Sequence, residues 1–132
     1  MTIGKLAREA GVNTQTIRFY EREGLMPAPS RRASGYREYP SETVRHVRFI
    51  VAAKQVGFTL SEIGELLSLR VQRGASCARV RRRAKAKLAD IDAKLARLKG
   101  MRRTLARLIA SCQGRCAVED CVILEAIEQR SR

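Results

Sequence analysis

Tryptophan is absent from this 132-residue chain, histidine occurs once, and proline occurs three times. Acidic residues are scarce: 13 Asp and Glu stand against 27 Lys and Arg, leaving a formal net charge of +14. No apolar run approaches the roughly 18 residues of a membrane span. The opening MTIGKLAREAG lacks the apolar core of a secretory leader, so a cytoplasmic chain is expected. Without tryptophan the chain also matches a cationic membrane-surface helix poorly, since such helices set aromatic rings on their apolar face. The positive excess then points to a polyanion, nucleic acid first. His46 is the single histidine and has no cysteine near it in sequence, so it reads as a structural or surface residue. No nucleophile–base pair, phosphate loop or paired carboxylates stand out, and an enzyme is not expected. A hydrophobic fraction of 45% excludes a disordered chain.

What is present begins with a helical head. Ile3, Leu6, Ala7 and Ala10 recur at helical spacing behind Thr2, an N-cap candidate, and Gly11 stands where a C′ glycine ends a helix. Asn13 or Thr14 starts a second helix through TQTIRFYEREG, with Ile17 and Tyr20 or Phe19 facing inward. Two short helices across a glycine-centred turn make a helix-turn-helix candidate. Gln15, Thr16 and Arg18 lie near the start of the second helix, where major-groove and phosphate contacts would fall. Pro27 and Pro29 then forbid helix, and Arg31, Arg32, Gly35, Tyr36, Arg37 and Tyr39 interleave basic and aromatic residues about a turn. That pattern reads as a two-stranded wing along the DNA backbone. Ser41 is the expected cap of a third helix carrying Val44, Val47, Ile50, Val51 and Ala53. Thr59 with Glu62 forms a capping box for a fourth, with Ile63, Leu66 and Leu67 as its stripe.

Three blocks in this head, TIGKLAREAGVNTQTIRFYEREGL, GYREYP, and VRFI followed by AKQVGFTLSEIGELL, resemble the MerR family of transcription regulators in order and spacing. The resemblance implies that Thr16, Arg18, Tyr20, Tyr36, Arg37 and Tyr39 touch DNA.

Beyond the head, Ala84, Leu88, Ile91, Leu95, Leu98, Leu105 and Ile109 recur at three- and four-residue steps, widened by Met101 and Leu108. One exposed stripe on so long a helix needs a partner, and a second copy is the simplest. The resemblance implies an antiparallel dimerisation coil. Arg79, Arg81, Arg82, Arg83, Lys85 and Lys87 crowd its first turns, either as a solvated face or as a field attracting DNA.

The specific chemistry falls on SCQGRCAVEDC, which holds Cys112, Cys116 and Cys121, three of the four cysteines. Cys77 precedes the long helix. In an antiparallel pair, Cys77 of one copy can meet Cys112 and Cys121 of the other. Thiolates select soft ions such as Hg(II), Cd(II), Pb(II), Zn(II) and Cu(I). A cysteine at position 77, and the Cys112-to-Cys121 interval, resemble the family's divalent-ion sensors rather than its copper(I) sensors. The triad looks like the mercury sensor, and the tail VEDCVIL looks like the lead and cadmium sensors. A soft divalent ion is therefore expected, Hg(II) favoured, with Pb(II), Cd(II) or Zn(II) open. Cys116 is either a fourth ligand or a bystander. Three tail cysteines at this spacing do not resemble the four of the iron–sulfur members.

The expected architecture is mainly α. A winged helix-turn-helix head spans 1–70, a linker 71–77, a long antiparallel dimerisation helix 78–111, and a short metal-binding loop and helix 112–132. By resemblance, the homodimer grips double-stranded promoter DNA and, on binding metal, distorts it so that RNA polymerase can engage, activating metal-resistance genes. Two other readings remain: a thiol-redox switch closing a disulfide between Cys112 and Cys116 or Cys121, and a non-responsive architectural DNA binder.

Overall fold

The computed structural model describes residues 1–27, 29–31, 35, 37–74 and 76–130. Arg32 and Tyr36, both expected in the wing, lie outside the described residues. Packing divides the chain into two compact units, Met1–Lys87 and Leu88–Arg132.

In the first unit, α1 (Ile3–Ala10) begins where the Thr2 side chain accepts the Lys5 N–H and ends at Gly11, whose φ of 75° is left-handed. Helix α2 (Thr14–Arg22) is capped by Asn13, whose side chain accepts the Thr16 N–H. Such caps contribute about 1 kcal/mol each by satisfying donors that the first turn leaves unpaired. The wing is a two-stranded antiparallel ribbon of β1 (Ser30–Arg31) and β2 (Arg37–Glu38), with Arg31 opposite Arg37 and Ser30 opposite Glu38.

Helix α3 (Thr43–Gln55) corrects one expectation. Ser41 does not cap it: Glu42 holds the N-cap position, with no side-chain cap hydrogen bond. The chain arrives through a turn, and the carbonyls of Pro40 and Ser41 accept the Thr43 and Val44 N–H groups. Backbone has already taken the bonds a serine hydroxyl would supply. Helix α4 (Leu60–Arg70) does carry the Thr59–Glu62 capping box.

The core of this unit joins all four helices and the wing. Leu6, Ile17, Val47, Ile50 and Ile63 are fully buried, with Tyr20, Leu25, Met26, Tyr39 and Val44 around them. His46 is structural, its Nε2 lying 2.7 Å from the Leu25 carbonyl oxygen.

The first turns of α5 (Ala78–Ser111) belong to this unit as well. Arg83 pairs with Glu65 at 2.9 Å, and Lys87 with Glu62 at 2.8 Å. Lys87 is only 6% exposed, and its ammonium lies 5.8 Å from the centre of the Phe58 ring. A lysine buried to that degree is rare without a partner.

In the second unit the rest of α5 leads to a loop, a single 3₁₀ turn at Val118–Asp120, and α6 (Val122–Arg130). Leu88, Leu98, Met101, Leu105 and Ile109 are all more than half exposed. The stripe read from the sequence is therefore uncovered in the single chain. Ile127 of α6 lines an open cavity of about 650 Å³ with Met101, Leu105 and Leu108 of α5. Among the described residues no helix is long and apolar enough to cross a membrane.

Candidate nucleic-acid interface and metal centre

On α2 the outward residues are polar because the inward ones, Ile17 and Tyr20, are held in the core. Gln15 and Arg18 are exposed. Thr16 is half-buried and its hydroxyl donates to Asn13 Oδ1 at 2.9 Å, so it helps to fix the helix start it was expected to present. Tyr20 is 2% exposed, and burial pushes its hydroxyl pKa up.

Glu21 ties the wing to this helix. It accepts from Arg37 at 2.8 Å and from the Tyr39 hydroxyl. Tyr39 is as buried as Tyr20, and its pKa is raised first by burial and then by the bond to Glu21. The Met1 ammonium adds a bond to Glu38 at 3.0 Å and another to the Tyr39 carbonyl at 2.6 Å. Sequence reading named Arg37 and Tyr39 but missed Glu21. The one available signal was an acid on an otherwise basic helix.

The thiols come together at the other end of α5. The helix closes as the Cys112 N–H donates to the Ile109 carbonyl, and Gly114, at φ 78°, turns the chain back. The 3₁₀ turn then places Cys121 at the start of α6. As a result the Sγ atoms of Cys112, Cys116 and Cys121 all lie within 4.8 Å of one another. Backbone N–H groups of Leu124 and then Ile123 hold the Cys121 thiol below the usual range. Partial desolvation, then the neighbouring Cys112, push the Cys116 thiol up. Of the three, the Cys121 thiol is thus the one favoured as an anion. Three soft donors at this separation suit a thiophilic cation.

Cys77 is not part of this cluster. It is exposed and sits directly before α5, its carbonyl accepting the Arg81 N–H at 2.9 Å. A continuous helix of 34 residues separates it from Cys112 in the same chain.

A reading helix, a wing tied to it, and a thiol trio at the end of a long helix define a DNA-binding regulator of the winged helix-turn-helix class with a soft-metal ligand set. Residues 1–70 match the model of the MerR HTH family of regulatory proteins, and residues 44–108 match the MerR DNA-binding model. The chain belongs to the MerR family of transcription regulators, in its heavy-metal-responsive branch, and is not an enzyme. The mercuric resistance operon regulatory protein of Serratia marcescens is 38% identical over 128 residues, covering 97% of this chain and 88% of its own length. The HTH-type transcriptional regulator ZntR of Escherichia coli K12 is 37% identical over 129 residues, 96% of this chain and 92% of that protein. The transcription regulator PbrR691 of Ralstonia metallidurans CH34, solved in complex with lead(II), is similar in structure with a TM-score of 0.87. It is 35% identical, and the match covers 96% of this chain and 98% of that one.

Proposed function

We propose that the protein is a homodimeric, cytoplasmic transcription regulator that distorts promoter DNA when a soft divalent ion is held between its two copies. The observation that carries this reading is the thiol trio at the end of a helix whose apolar stripe is uncovered in the single chain. Two such stripes packed antiparallel would cover each other and bring Cys77 of one copy to Cys112 and Cys121 of the other. Hg(II) is the first candidate, in keeping with the mercuric relatives. Pb(II), Cd(II) and Zn(II) follow from the same donor chemistry. When bound, the ion supplies a thiolate-to-thiolate link across the dimer.

At the DNA, Gln15, Thr16 and Arg18 would supply groove and phosphate contacts, and the wing residues Arg31, Tyr36 and Arg37 further phosphate contacts. Tyr20 and Tyr39 are buried, and the Tyr39 hydroxyl is taken by Glu21, so both would serve the DNA contacts by holding the helix and the wing in place. A bound ion moves the DNA only by favouring one dimer conformation over another. A ligand set drawn from both copies meets that requirement, because its geometry changes whenever the copies shift. The bent promoter would then be the form that RNA polymerase engages.

Mixed dimers test the two-chain site. Homodimers of Cys77→Ser, and of Cys112→Ser with Cys121→Ser, should both fail to activate run-off transcription with Hg(II). A dimer of one chain of each kind keeps one complete site and should respond. A Cys77→Ser homodimer that responds like the unmodified protein would overturn the reading. The closeness of the three thiols also permits a disulfide switch, and activation by oxidant with no metal present would favour that account.

A further inference from the structure

Cys116 is used neither by the core nor by the two-chain site. It is exposed, so it fills no packing gap, yet its sulfur lies within 4.8 Å of both Cys112 and Cys121. We propose that Cys116 is a metal ligand, and that with Cys112 and Cys121 it forms a three-thiolate site for a soft cation complete within one chain.

Geometry supports the trio. Metal–sulfur bonds of about 2.3 Å hold thiolates about 3.8–4.0 Å apart in tetrahedral or trigonal sites. Sulfurs within 4.8 Å therefore need to close by no more than about 1 Å, a movement that side-chain rotation supplies. The placement is local. One turn at Gly114 and the 3₁₀ turn at Val118–Asp120 set all three thiols from a single short stretch of backbone. Ser111, Asp120 and Val122 line an open cavity of about 360 Å³ with Cys112 and Cys116, which leaves a route for an arriving ion.

The consequence rests on the two-chain reading above. A site built from one chain holds its ion equally well in every arrangement of the dimer, so by itself it shifts no equilibrium. Only a thiolate from the second copy makes occupancy depend on arrangement. Cys116 therefore contributes to how tightly the ion is held, and Cys77 to whether the DNA responds. Capture and response become separable functions of different cysteines.

The test uses the full-length reduced protein with Cd(II) alone as the probe, in competition with a chelator of known affinity. Thiolate-to-metal absorption per bound ion counts the sulfur ligands, and circular dichroism checks the fold of each variant. Cys77→Ser should retain one Cd(II) per chain with the absorption of three thiolates. Adding Cys116→Ser to that variant should cut affinity about a hundredfold and remove about one third of the absorption, one ligand of three. If Cys116→Ser leaves affinity and absorption unchanged in both backgrounds, the inference fails and the two-chain site still stands. If Cys77→Ser alone abolishes binding, the one-chain site is likewise excluded while the two-chain site gains support. No Cd(II) binding by the unmodified protein would remove both.

Discussion

Glu62 uses one carboxylate for two purposes. It accepts the Thr59 N–H of the capping box at 2.8 Å and pairs with Lys87 of α5 at 2.8 Å. The Lys87 ammonium first, and the Thr59 N–H second, hold its pKa at about 2, below the ordinary 4.5. A carboxylate whose folded pKa is depressed adds stability that is present above its unfolded pKa and is lost as pH falls through the folded one. The window here runs from about pH 4.5 down to about 2. The unmodified protein should therefore lose stability in urea more steeply across that window than Glu62→Gln does, with the two curves converging near its lower end. Parallel curves would show that the pairing carries no linkage. The box was legible in the sequence because Thr59 and Glu62 are three residues apart. Lys87 was not, because 25 positions separate it from its partner and only the packing of α5 on α4 joins them. Glu21 with Tyr39 is the same case across 18 positions.

At the scale of elements, α5 contains a glycine with no evident local purpose. A Cβ placed at Gly100 would meet only the Arg103 guanidinium, at 4.0 Å. Alanine there should stabilise the helix by about 0.5–1 kcal/mol through the smaller backbone entropy it loses on folding. Thermal denaturation of Gly100→Ala at several protein concentrations checks this. A destabilisation that grows as the protein is concentrated would instead show that a second copy approaches the backbone at Gly100. The helix and its stripe were readable from spacing alone, since a 3.6-residue period needs no tertiary contact to be seen. What covers the stripe is a property of a second surface.

For the whole molecule, a charge of +14 makes DNA affinity fall as salt rises, in proportion to the phosphates neutralised. Arg18→Ala should lower the slope of log affinity against log salt by about 1, and Lys99→Ala, in the second unit, should leave it unchanged. Equal slopes for all three proteins would remove Arg18 from the phosphate contacts. The basic face at Arg79–Lys87 divides in two. Arg83 and Lys87 are engaged by Glu65 and Glu62, so part of a charge run that read as solvent-facing or DNA-facing docks α5 on the head.

Legible in the sequence alone were the helix starts at Thr2 and Thr59, a second helix beginning at Asn13 or Thr14, the apolar stripes, the excess of positive charge and the grouping of thiols at the tail. Each depends on residues a few positions apart, or on composition. The packed chain was needed to show that Tyr20 rather than Phe19 is the deeply buried ring, that the Tyr39 ring is buried too, that Glu21 anchors the wing, that the Lys87 ammonium lies over the Phe58 ring, and that Cys116 stands beside Cys112 and Cys121. Those outcomes follow from which faces meet after the chain has turned, and a linear spacing carries no record of that meeting.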